Sequence, residues 1–440
     1  MTDEMVNMDN GPSKNTSTNS TVITVEKLRK HEKIRIIDED KKANLQLWTY
    51  ASCDQSSDYI VRHAKGIITH KDEILVHNFP YTQTFNNTQV EDIKSALPSL
   101  ENCTIYEAHE GILLRLFYHS DKWNISTNKK LDAYRSKWAA KQSFGELFDA
   151  ALDYELLNNS RLEFNDNENI KESFLNMLNK SNTYIFILRN NRENRIVCAP
   201  PENPQIYHVA TYAENKLLTD IDIGITRPES HEVENTDSLI ELVGKSNPKY
   251  IQGLIVYKPD NTQVKLINSE YEEYVKVRGN EQSVKYRYLQ VRMNAKYSDT
   301  LCYLYPDEIH VFKDYENIIY DIATMLFRSY VQRYIKKNYI TLPKQEFGIM
   351  DKCHKWHLLD RAQNKITIDK VIDILNEQKA NDLNQMIRRF KAQKTNKKQT
   401  VRTPKSSILT PKHMSTKGKK GISPIILPQA CNTAMSQIKV

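Results

Sequence analysis

The spacing of apolar residues predicts antiparallel strands through the middle of the chain. Apolar and other residues alternate over residues 111–118 and again over 123–127, on either side of a polar turn, which is typical of a hairpin. A short apolar run at 184–188 indicates a buried strand. Residues 251–257 and 263–267 predict a second hairpin across a Pro-Asp-Asn-Thr turn.

Before these hairpins the pattern is weaker. Residues 1–22 are polar and are expected to be disordered, and residues 23–58 read as a polar segment that precedes the first ordered block. The pattern at 59–68 predicts a strand, and 74–76 predicts a second strand that leads into an aromatic loop.

Helical spacing occurs at 133–157 and 236–243, and it dominates after residue 301, at 315–337 and 371–387. The chain is therefore expected to be an α+β protein with antiparallel sheets and a C-terminal helical domain. The predicted boundaries are a disordered segment 1–22, a core domain 23–300, a helical domain 301–390 and a disordered tail 391–440.

The charge distribution is uneven. The whole chain carries a formal charge of +7, but after Asp382 there are thirteen Lys and Arg and no Asp or Glu, so the preceding residues are mildly acidic. A flexible basic tail is suited to bind the phosphate backbone of nucleic acids. An equally good interpretation is a solvated tail that aids solubility or carries a nuclear-type localisation signal. The tail residues expected to bind nucleic acid are Lys394, Lys397, Lys398, Arg402, Lys419 and Lys420.

Other features limit the class of protein. No run of eighteen apolar residues exists and the first twenty residues are polar, so neither a membrane span nor a secretory signal is expected. The six cysteines are scattered without paired spacing, which indicates reduced thiols and an intracellular protein.

Several short motifs occur in a recognisable order between residues 59 and 290. They are the segment 63–68 with the aromatic loop 79–86, the hairpin from Glu110-Gly111 to Trp123 and Thr127, the strand 184–188 followed by 194–197, the segment 252–256, and 264–267 with Tyr271. Their order and spacing resemble the phage-type RNA ligases of the covalent nucleotidyltransferase superfamily, in a divergent version similar to those of large DNA viruses.

This resemblance implies an antiparallel-sheet nucleotidyltransferase core, related to ATP-grasp-like ligases, and a specific chemistry. A lysine amine would attack the α-phosphorus of ATP, carboxylates would hold a divalent metal, and lysines would hold the phosphates. Here Ala108 stands at the nucleophile, Ile187 at the third-motif acid and Gln252 at the fourth-motif glutamate, while Ile267 replaces one of the two fifth-motif lysines. We therefore expect a catalytically degenerate protein, a pseudoenzyme.

The residues that match the family pattern are expected to hold a nucleotide without forming a covalent bond. They are Gly111, Arg115, Thr127, Arg195, Gly253 and Lys265. No metal ligand is predicted, and the cofactor is unknown, with ATP and Mg expected if the chemistry is retained. RNA or another nucleic acid is the expected partner, no membrane is expected, and protein partners are unknown.

Two other functions remain open. An active ATP-dependent RNA ligase would use a displaced lysine, and Lys130 is a candidate. Residues 130–135 nearly match the nucleophile motif Lys-x-Asp-Gly-x-Arg, with Ala133 in place of the glycine. A structural viral protein associated with nucleic acid is the third interpretation. For a viral protein, the expected location is the host cytoplasm or nucleus, or the virion.

Two segments outside these motifs carry further candidate chemistry. Cys353, His354 and His357 could ligate zinc if a fourth ligand joined them in space, or they could form an aromatic cluster. Residues 330–339 interleave tyrosines with basic residues, a composition that suits single-stranded nucleic acid and also an ordinary helical core.

Overall fold

The computed structural model describes residues 22–159, 161–162, 169–190 and 195–400, and for 395–400 it describes the helical backbone alone. The chain forms two compact units. The first comprises the described residues up to Glu193 together with Pro200–Ser246 and Ile251–Ile267, and the second comprises the described residues of Asn194–Ala199, Asn247–Tyr250 and those from Asn268 onward. The second unit thus begins earlier than the boundary near 301 expected from helical spacing, because the three helices between residues 269 and 304 belong to it.

All strands of the described chain lie in the first unit. They are β1 (Ile34–Asp40), β2 (Leu45–Tyr50), β3 (Ile67–His70), β4 (Glu73–Val76), β5 (Thr82–Asn86), β6 (Thr104–Ala108), β7 (Ile112–His119), β8 (Lys122–Thr127), β9 (Thr183–Arg189), β10 (Gln205–Ala213), β11 (Lys216–Leu218), β12 (Gly253–Tyr257) and β13 (Gln263–Ile267).

These strands form three sheets. The N-terminal sheet has the order β1-β2-β3-β4, the central sheet β11-β10-β9-β7-β8, and the motif sheet β5-β13-β12-β6. Neighbouring strands are antiparallel except β5 and β13, which run parallel. The two hairpins expected from alternation are present as β7 with β8 and β12 with β13.

Helices occur in both units. Those of the first unit are α1 (Val25–Lys30), α2 (Tyr59–His63), α3 (Val90–Ala96), α4 (Phe144–Asn158), α5 (Ile170–Met177) and α6 (Thr236–Lys245). Those of the second are α7 (Ser269–Arg278), α8 (Val284–Val291), α9 (Ala295–Leu304), α10 (Ile309–Tyr330), α11 (Lys344–Leu359), α12 (Ile368–Asn376) and α13 (Ala380–Thr400). A π-helical turn, Val331–Ile335, follows α10 directly.

The central sheet is buried on one face by α4 and α5. Ser143 starts α4 with a capping box in which its side chain and that of Glu146 bond reciprocally to the backbone, an arrangement that typically stabilises a helix by about 1 kcal/mol. Leu147, Phe148 and Leu152 then face Phe186 and other strand residues in one apolar cluster. The periodic apolar face expected for this helix is confirmed, but the helix begins at Phe144 and not near residue 133.

The motif sheet owes its register to Gly253. Gly253 lies opposite Ala108 of β6 on one side and opposite Ile267 of β13 on the other. Its φ is +149°, and an added Cβ would meet the Leu266 carbonyl oxygen and, at 2.9 Å, the Ile267 Cα. Only glycine lets β12 lie this close to β13 at the end of the sheet.

The structure corrects several expectations near the ends of the chain. Residues 59–63 form α2 and not a strand, because the Asp58 side chain accepts a hydrogen bond from the Val61 amide and caps a helix. The polar segment 23–58 contains α1, β1 and β2. At the other end α13 continues to Thr400, so the first ten residues of the expected tail are helical. Residues 1–21 and 401–440 lie outside the described part of the chain.

The helices of the second unit enclose their own core. Ile318, Ile322 and Leu326 of α10 pack with Ile349 of α11 and Ile374 of α12 in one buried cluster. The helical periodicity expected for 315–337 and 371–387 is therefore confirmed. Within the described residues, none of the helices combines the length and the apolar character needed to cross a membrane.

Replacing Gly253 with alanine should destabilise the protein by about 2–4 kcal/mol, because the new Cβ overlaps the Leu266 carbonyl and the backbone conformation is unfavourable for an L-residue. Urea unfolding measures the change. Gly348→Ala, in α11, is the matched control: among the described residues nothing lies within 4 Å of a Cβ added there, so helix propensity should stabilise this variant by about 0.5–1 kcal/mol. Equal stabilities for the two variants would contradict this role of Gly253.

Candidate functional site

The register of the motif sheet brings three of the diagnostic positions together. Ala108 ends β6, Gln252 precedes β12, and Lys265 lies in the middle of β13. The backbone N–H of Gln252 donates a hydrogen bond to the Ala108 carbonyl at 2.8 Å. The Lys265 ammonium donates a hydrogen bond to the side-chain oxygen of Gln252. Positions far apart in the chain therefore meet at one edge of the sheet.

A cavity of about 330 Å³ opens beside them, within the first unit, and is called the cleft here. Ala108 and Lys265 line it from the motif sheet, and Ile187 of β9 lines it from the central sheet. The other lining residues are Tyr50, Lys65, Phe79, Tyr81, Thr82, Thr84, Tyr106, Glu107, His109, Leu113, Val209, Arg227, Pro228, Ile255, Tyr257 and Gln263.

The cleft combines aromatic and aliphatic walls with cationic groups. Tyr106, Tyr257 and Phe79 meet in tilted and edge-on ring contacts at centroid separations of 5.9–6.0 Å. Lys65 and Arg227 add to the positive charge of Lys265. A cavity with apolar walls and a few converging charges is the usual form of a small-molecule site, and this one lies at the lower end of the usual range of about 300–1,000 Å³.

Gln252 is the neutral residue that the sequence resemblance aligns with the fourth-motif glutamate. Its side-chain amide donates to the His109 carbonyl at 3.4 Å and its oxygen accepts from Lys265. The amide therefore holds Lys265 against the loop after β6. It brings no negative charge that would attract a divalent cation.

Arg227 and Lys65 line the cleft, and neither is among the site residues expected from the sequence motifs. Arg227 donates to the Tyr106 hydroxyl at 3.1 Å and to the Ile221 carbonyl at 3.4 Å, and its guanidinium lies 5.5 Å from the centre of the Tyr106 ring. Burial lowers the pKa of Lys65. Arg227 lies in a loop without periodicity, so no local pattern marks it, whereas Lys65 stands inside the 63–68 motif, whose alternation indicates a strand and not a site.

Glu107 is the carboxylate among the described lining residues. The His109 Nε2 lies 3.2 Å from one of its oxygens and the His231 Nε2 lies 4.0 Å from the other. The hydrogen bond from His109 lowers the pKa of Glu107, and the nearby charges of His109, His231 and Arg189 act in the same direction. The Glu107 carboxylate is therefore engaged by two histidines. The ring of His109 also stacks on Tyr207, with the ring centres 4.5 Å apart. Within the described part of the chain, no three His, Cys, Asp or Glu side chains are arranged to hold a metal ion.

Three of the residues expected to bind nucleotide do not line the cleft. Arg115 is wholly buried and donates to the carbonyls of Gly66 and Thr127, which ties β3 to the end of β8. The Thr127 hydroxyl accepts from the amides of Lys129 and Lys130, at 3.1 and 2.9 Å, in the turn after β8. Gly111 admits the Leu188 carbonyl, which would lie 2.7 Å from an added Cβ.

Two further residues of that set serve other positions. Arg195 belongs to the second unit, where it donates to the Leu304 carbonyl at 2.5 Å and lies 4.4 Å from the Tyr305 ring centre. Gly253 holds the register of the motif sheet. Of the six expected nucleotide-binding residues, Lys265 is the one that lines the cleft, because the others bond to backbone or permit close packing of strands.

Lys130 does not lie among the residues that line the cleft. Its ammonium is half-exposed and lies 3.5 Å from Asp38. A short 3-10 turn, Ala133–Arg135, follows it in place of the strand that a nucleophile motif would require. The role of a displaced nucleophile at this position has no structural support.

The basic residues expected to contact nucleic acid are described in part. Lys394 lies on α13, 2.7 Å from Asp321 of α10 and 4.8 Å from the Phe390 ring. Lys397 and Lys398 lie on the same helix, without described side chains. Arg402, Lys419 and Lys420 lie outside the described residues.

The α+β fold with antiparallel sheets that the sequence predicts is confirmed. Similar solved structures include an archaeal ATP-dependent RNA ligase, 11% identical, with a TM-score of 0.38 over 63% of this chain and 76% of that one. Another is a mutant Naegleria gruberi RNA ligase with ATP and Mn, 11% identical, with a TM-score of 0.31 over 44% of this chain and 58% of the ligase.

Curated relatives are viral proteins. The chain is 27% identical over 352 residues to the immediate-early protein ICP-46 homolog of Invertebrate iridescent virus 3, covering 76% of this chain and 75% of the relative. It is 26% identical to the homolog of Invertebrate iridescent virus 6, covering 66% and 67%, and 21% identical to immediate-early protein ICP-46 of Frog virus 3, covering 55% and 62%. No protein-family model matches the chain.

Arg115→Met should destabilise the protein by about 2–5 kcal/mol, because two buried carbonyls lose the guanidinium that donates to them. Thermal or urea unfolding measures this loss. If the wild type binds ATP, the variant should bind it with equal affinity at a temperature where the variant stays folded. A selective loss of ATP binding with unchanged stability would show instead that Arg115 acts in the cleft.

Proposed function

We propose that this protein binds a nucleotide in the cleft and holds it without covalent transfer. The observation that carries the proposal is the composition of the cleft. Lys65, Arg227 and Lys265 supply positive charge there, while Ala108 and Ile187 line the same cavity at the positions of the nucleophile and an acid.

The cleft suits a nucleotide because its two kinds of surface match the two parts of such a ligand. Rings of Tyr50, Phe79, Tyr81, Tyr106 and Tyr257 offer faces and edges for a flat base. The ammonium and guanidinium groups offer donors for phosphate oxygens. ATP is the nucleotide that the ligase-like fold favours.

Covalent transfer needs groups that these positions do not offer. The methyl group of Ala108 has no lone pair with which to attack phosphorus, and the carboxylate positions are taken by Ile187 and Gln252. A divalent metal does not fit the residues present either, since Glu107 is already engaged by His109 and Gln252 by Lys265. These residues support a binding role and not a transferase role.

RNA or another nucleic acid is the partner that we propose, inside an infected cell or in a virion. The basic composition after Asp382 supports a contact that neutralises phosphates. The resemblance to RNA ligases and to viral proteins is in keeping with this partner.

The second candidate is an active ATP-dependent RNA ligase with a displaced lysine. One observation favours it: Lys65 lines the cleft, and burial lowers the pKa of its ammonium, which raises the fraction of the nucleophilic free amine. Attack by this amine on the α-phosphorus would form a phosphoramidate and release pyrophosphate. The scarcity of carboxylates in the cleft weighs against this step.

Isothermal titration of the full chain with ATP tests the proposal. The wild type should bind ATP, and Lys265→Ala should bind it about tenfold or more weakly, since a charge-assisted hydrogen bond to phosphate is lost. Lys122→Ala, at the exposed first residue of β8, is the control and should bind ATP like the wild type. Absence of ATP binding by the wild type, or equal affinities for all three proteins, would refute it.

A further inference from the structure

The second unit carries a cluster of rings that the cleft does not use. The His354 ring stacks on Tyr334 at 3.7 Å with an angle of 17°. Tyr330 lies 5.0 Å from Tyr334, and its hydroxyl lies 3.3 Å from His354 Nδ1. His357 lies 6.3 Å from His354 along α11. The two segments singled out in the sequence therefore meet at one place, which we call the Tyr–His face.

Zinc does not account for this cluster. Cys353 is 1% exposed and packs in the apolar core, and burial raises the pKa of its thiol to about 11. The thiol would have to ionise to serve as a ligand. His357 Nδ1 lies 2.7 Å from the Asn364 carbonyl. The tyrosine and histidine rings of this cluster therefore offer flat surfaces for stacking and do not form a zinc site.

The backbone at the Tyr–His face is irregular. The π-helical turn Val331–Ile335 interrupts the end of α10, and Lys337 adopts a left-handed conformation with φ of +61°. Single π-helical turns are rare and often occur at functional sites. This segment presents side chains to solvent: Ile335 is 64% exposed and Tyr339 is 89% exposed.

The same face is positively charged. Residues 328–365 contain nine Lys and Arg but three Asp and Glu. Glu346 is bonded to Arg389 at 2.8 Å, and Asp351 is bonded to Lys355 at 2.8 Å. Among the described residues, no carboxylate lies within ion-pair distance of the exposed side chains of Arg328, Lys336, Lys337 and Arg361.

The charges lie beside the rings. Burial lowers the pKa of His354, and the charges of His357, Lys337 and Arg361 lower it further against the opposing effect of Asp351. A neutral His354 keeps its flat, uncharged ring on Tyr334 while the charges surround it. Arg333 lies over the rings of Tyr334 and Phe347, at 5.8 and 5.0 Å.

We propose that the Tyr–His face binds single-stranded nucleic acid. Phosphates contact Lys336, Lys337 and Arg361, and an unpaired base stacks on the exposed Tyr339 ring. A single strand fits better than a duplex, because stacked and paired bases in a duplex present no free face to an aromatic side chain. This site belongs to the second unit and does not depend on nucleotide binding in the cleft.

Fluorescence anisotropy with the full chain and a short labelled oligouridylate tests the contribution of charge. The variant Lys336→Ala/Lys337→Asn/Arg361→Ala should weaken binding and reduce the slope of log affinity against log salt by about 2, since each phosphate contact to a single strand contributes about 0.7. Asparagine is chosen at 337 because it tolerates positive φ.

Lys41→Ala/Lys42→Ala/Lys122→Ala is the matched control, because it removes three exposed cations from the first unit. This control variant should keep the slope of log affinity against log salt close to that of the wild type. The basic tail contributes to binding in the wild type and in both triple variants. Equal slopes for the two triple variants would overturn the proposal.

The contribution of stacking is tested at Tyr339. Tyr339→Ala should bind the oligouridylate about fivefold or more weakly, and Tyr339→Phe should restore the affinity because it keeps the ring. ATP titration of the same preparations should match the wild type, which separates this site from the cleft. Wild-type affinity in Tyr339→Ala would overturn the stacking contact and with it the proposal.

Two competitors identify the ligand. Tighter binding of oligouridylate than of oligothymidylate assigns the face to RNA, and equal binding assigns it to single strands of either kind; both results support the proposal. An acidic peptide such as oligoglutamate should compete weakly. If it displaced the oligouridylate at similar concentrations, the face would be a general anion or protein surface and the proposal would fail.

Discussion

The close approach of β12 to β13 at Gly253 is the constraint on which the candidate site depends. Gly253 is paired with Ala108 on one side and with Ile267 on the other, at a φ that other residues rarely adopt. This register sets Gln252 beside Ala108 and within reach of Lys265. The backbone conformation of Gly253 therefore helps to place Ala108, Gln252 and Lys265 next to one another at the edge of the cleft.

Arg115 plays a comparable part between the sheets. Its buried guanidinium joins the Gly66 carbonyl before β3 to the Thr127 carbonyl at the end of β8. Several residues that match the ligase-like pattern therefore support the architecture of the first unit. Of the four positions that differ from the pattern, Ala108 and Ile187 line the cleft and Gln252 borders it, whereas Ile267 pairs with Gly253 at the end of β13. Under the proposed function, this division keeps the fold while the cleft binds a nucleotide without covalent transfer.

Much of this architecture could be predicted from the sequence, because alternation and turn residues report local structure. The β7–β8 and β12–β13 hairpins and the helices of the second unit follow this rule. The prediction for residues 59–63 is wrong, since the aromatic and β-branched residues Tyr59-Ile-Val favour a strand while the cap at Asp58 starts a helix. The site is harder to predict. Arg227 reaches the cleft from an irregular loop, and Arg195 belongs to the other unit, and neither fact has a local signal.

The cleft and the Tyr–His face belong to different units and use different chemistry. The first is a cavity lined by aromatic rings and three cationic side chains, and the second is an exposed surface of rings and cations. A protein that holds a nucleotide in one unit and a single strand in the other would bind the two kinds of ligand that a ligase binds. It would do so without transferring the nucleotide covalently.

The most direct test of this account is incubation of the full chain with ATP labelled at the α-phosphate and a divalent metal, followed by a denaturing gel. The account expects labelled ATP to be retained under native conditions and no label to stay with the denatured protein. An acid-labile labelled band, lost in Lys65→Met and kept in Lys122→Ala, would contradict it and identify an active enzyme with a displaced nucleophile.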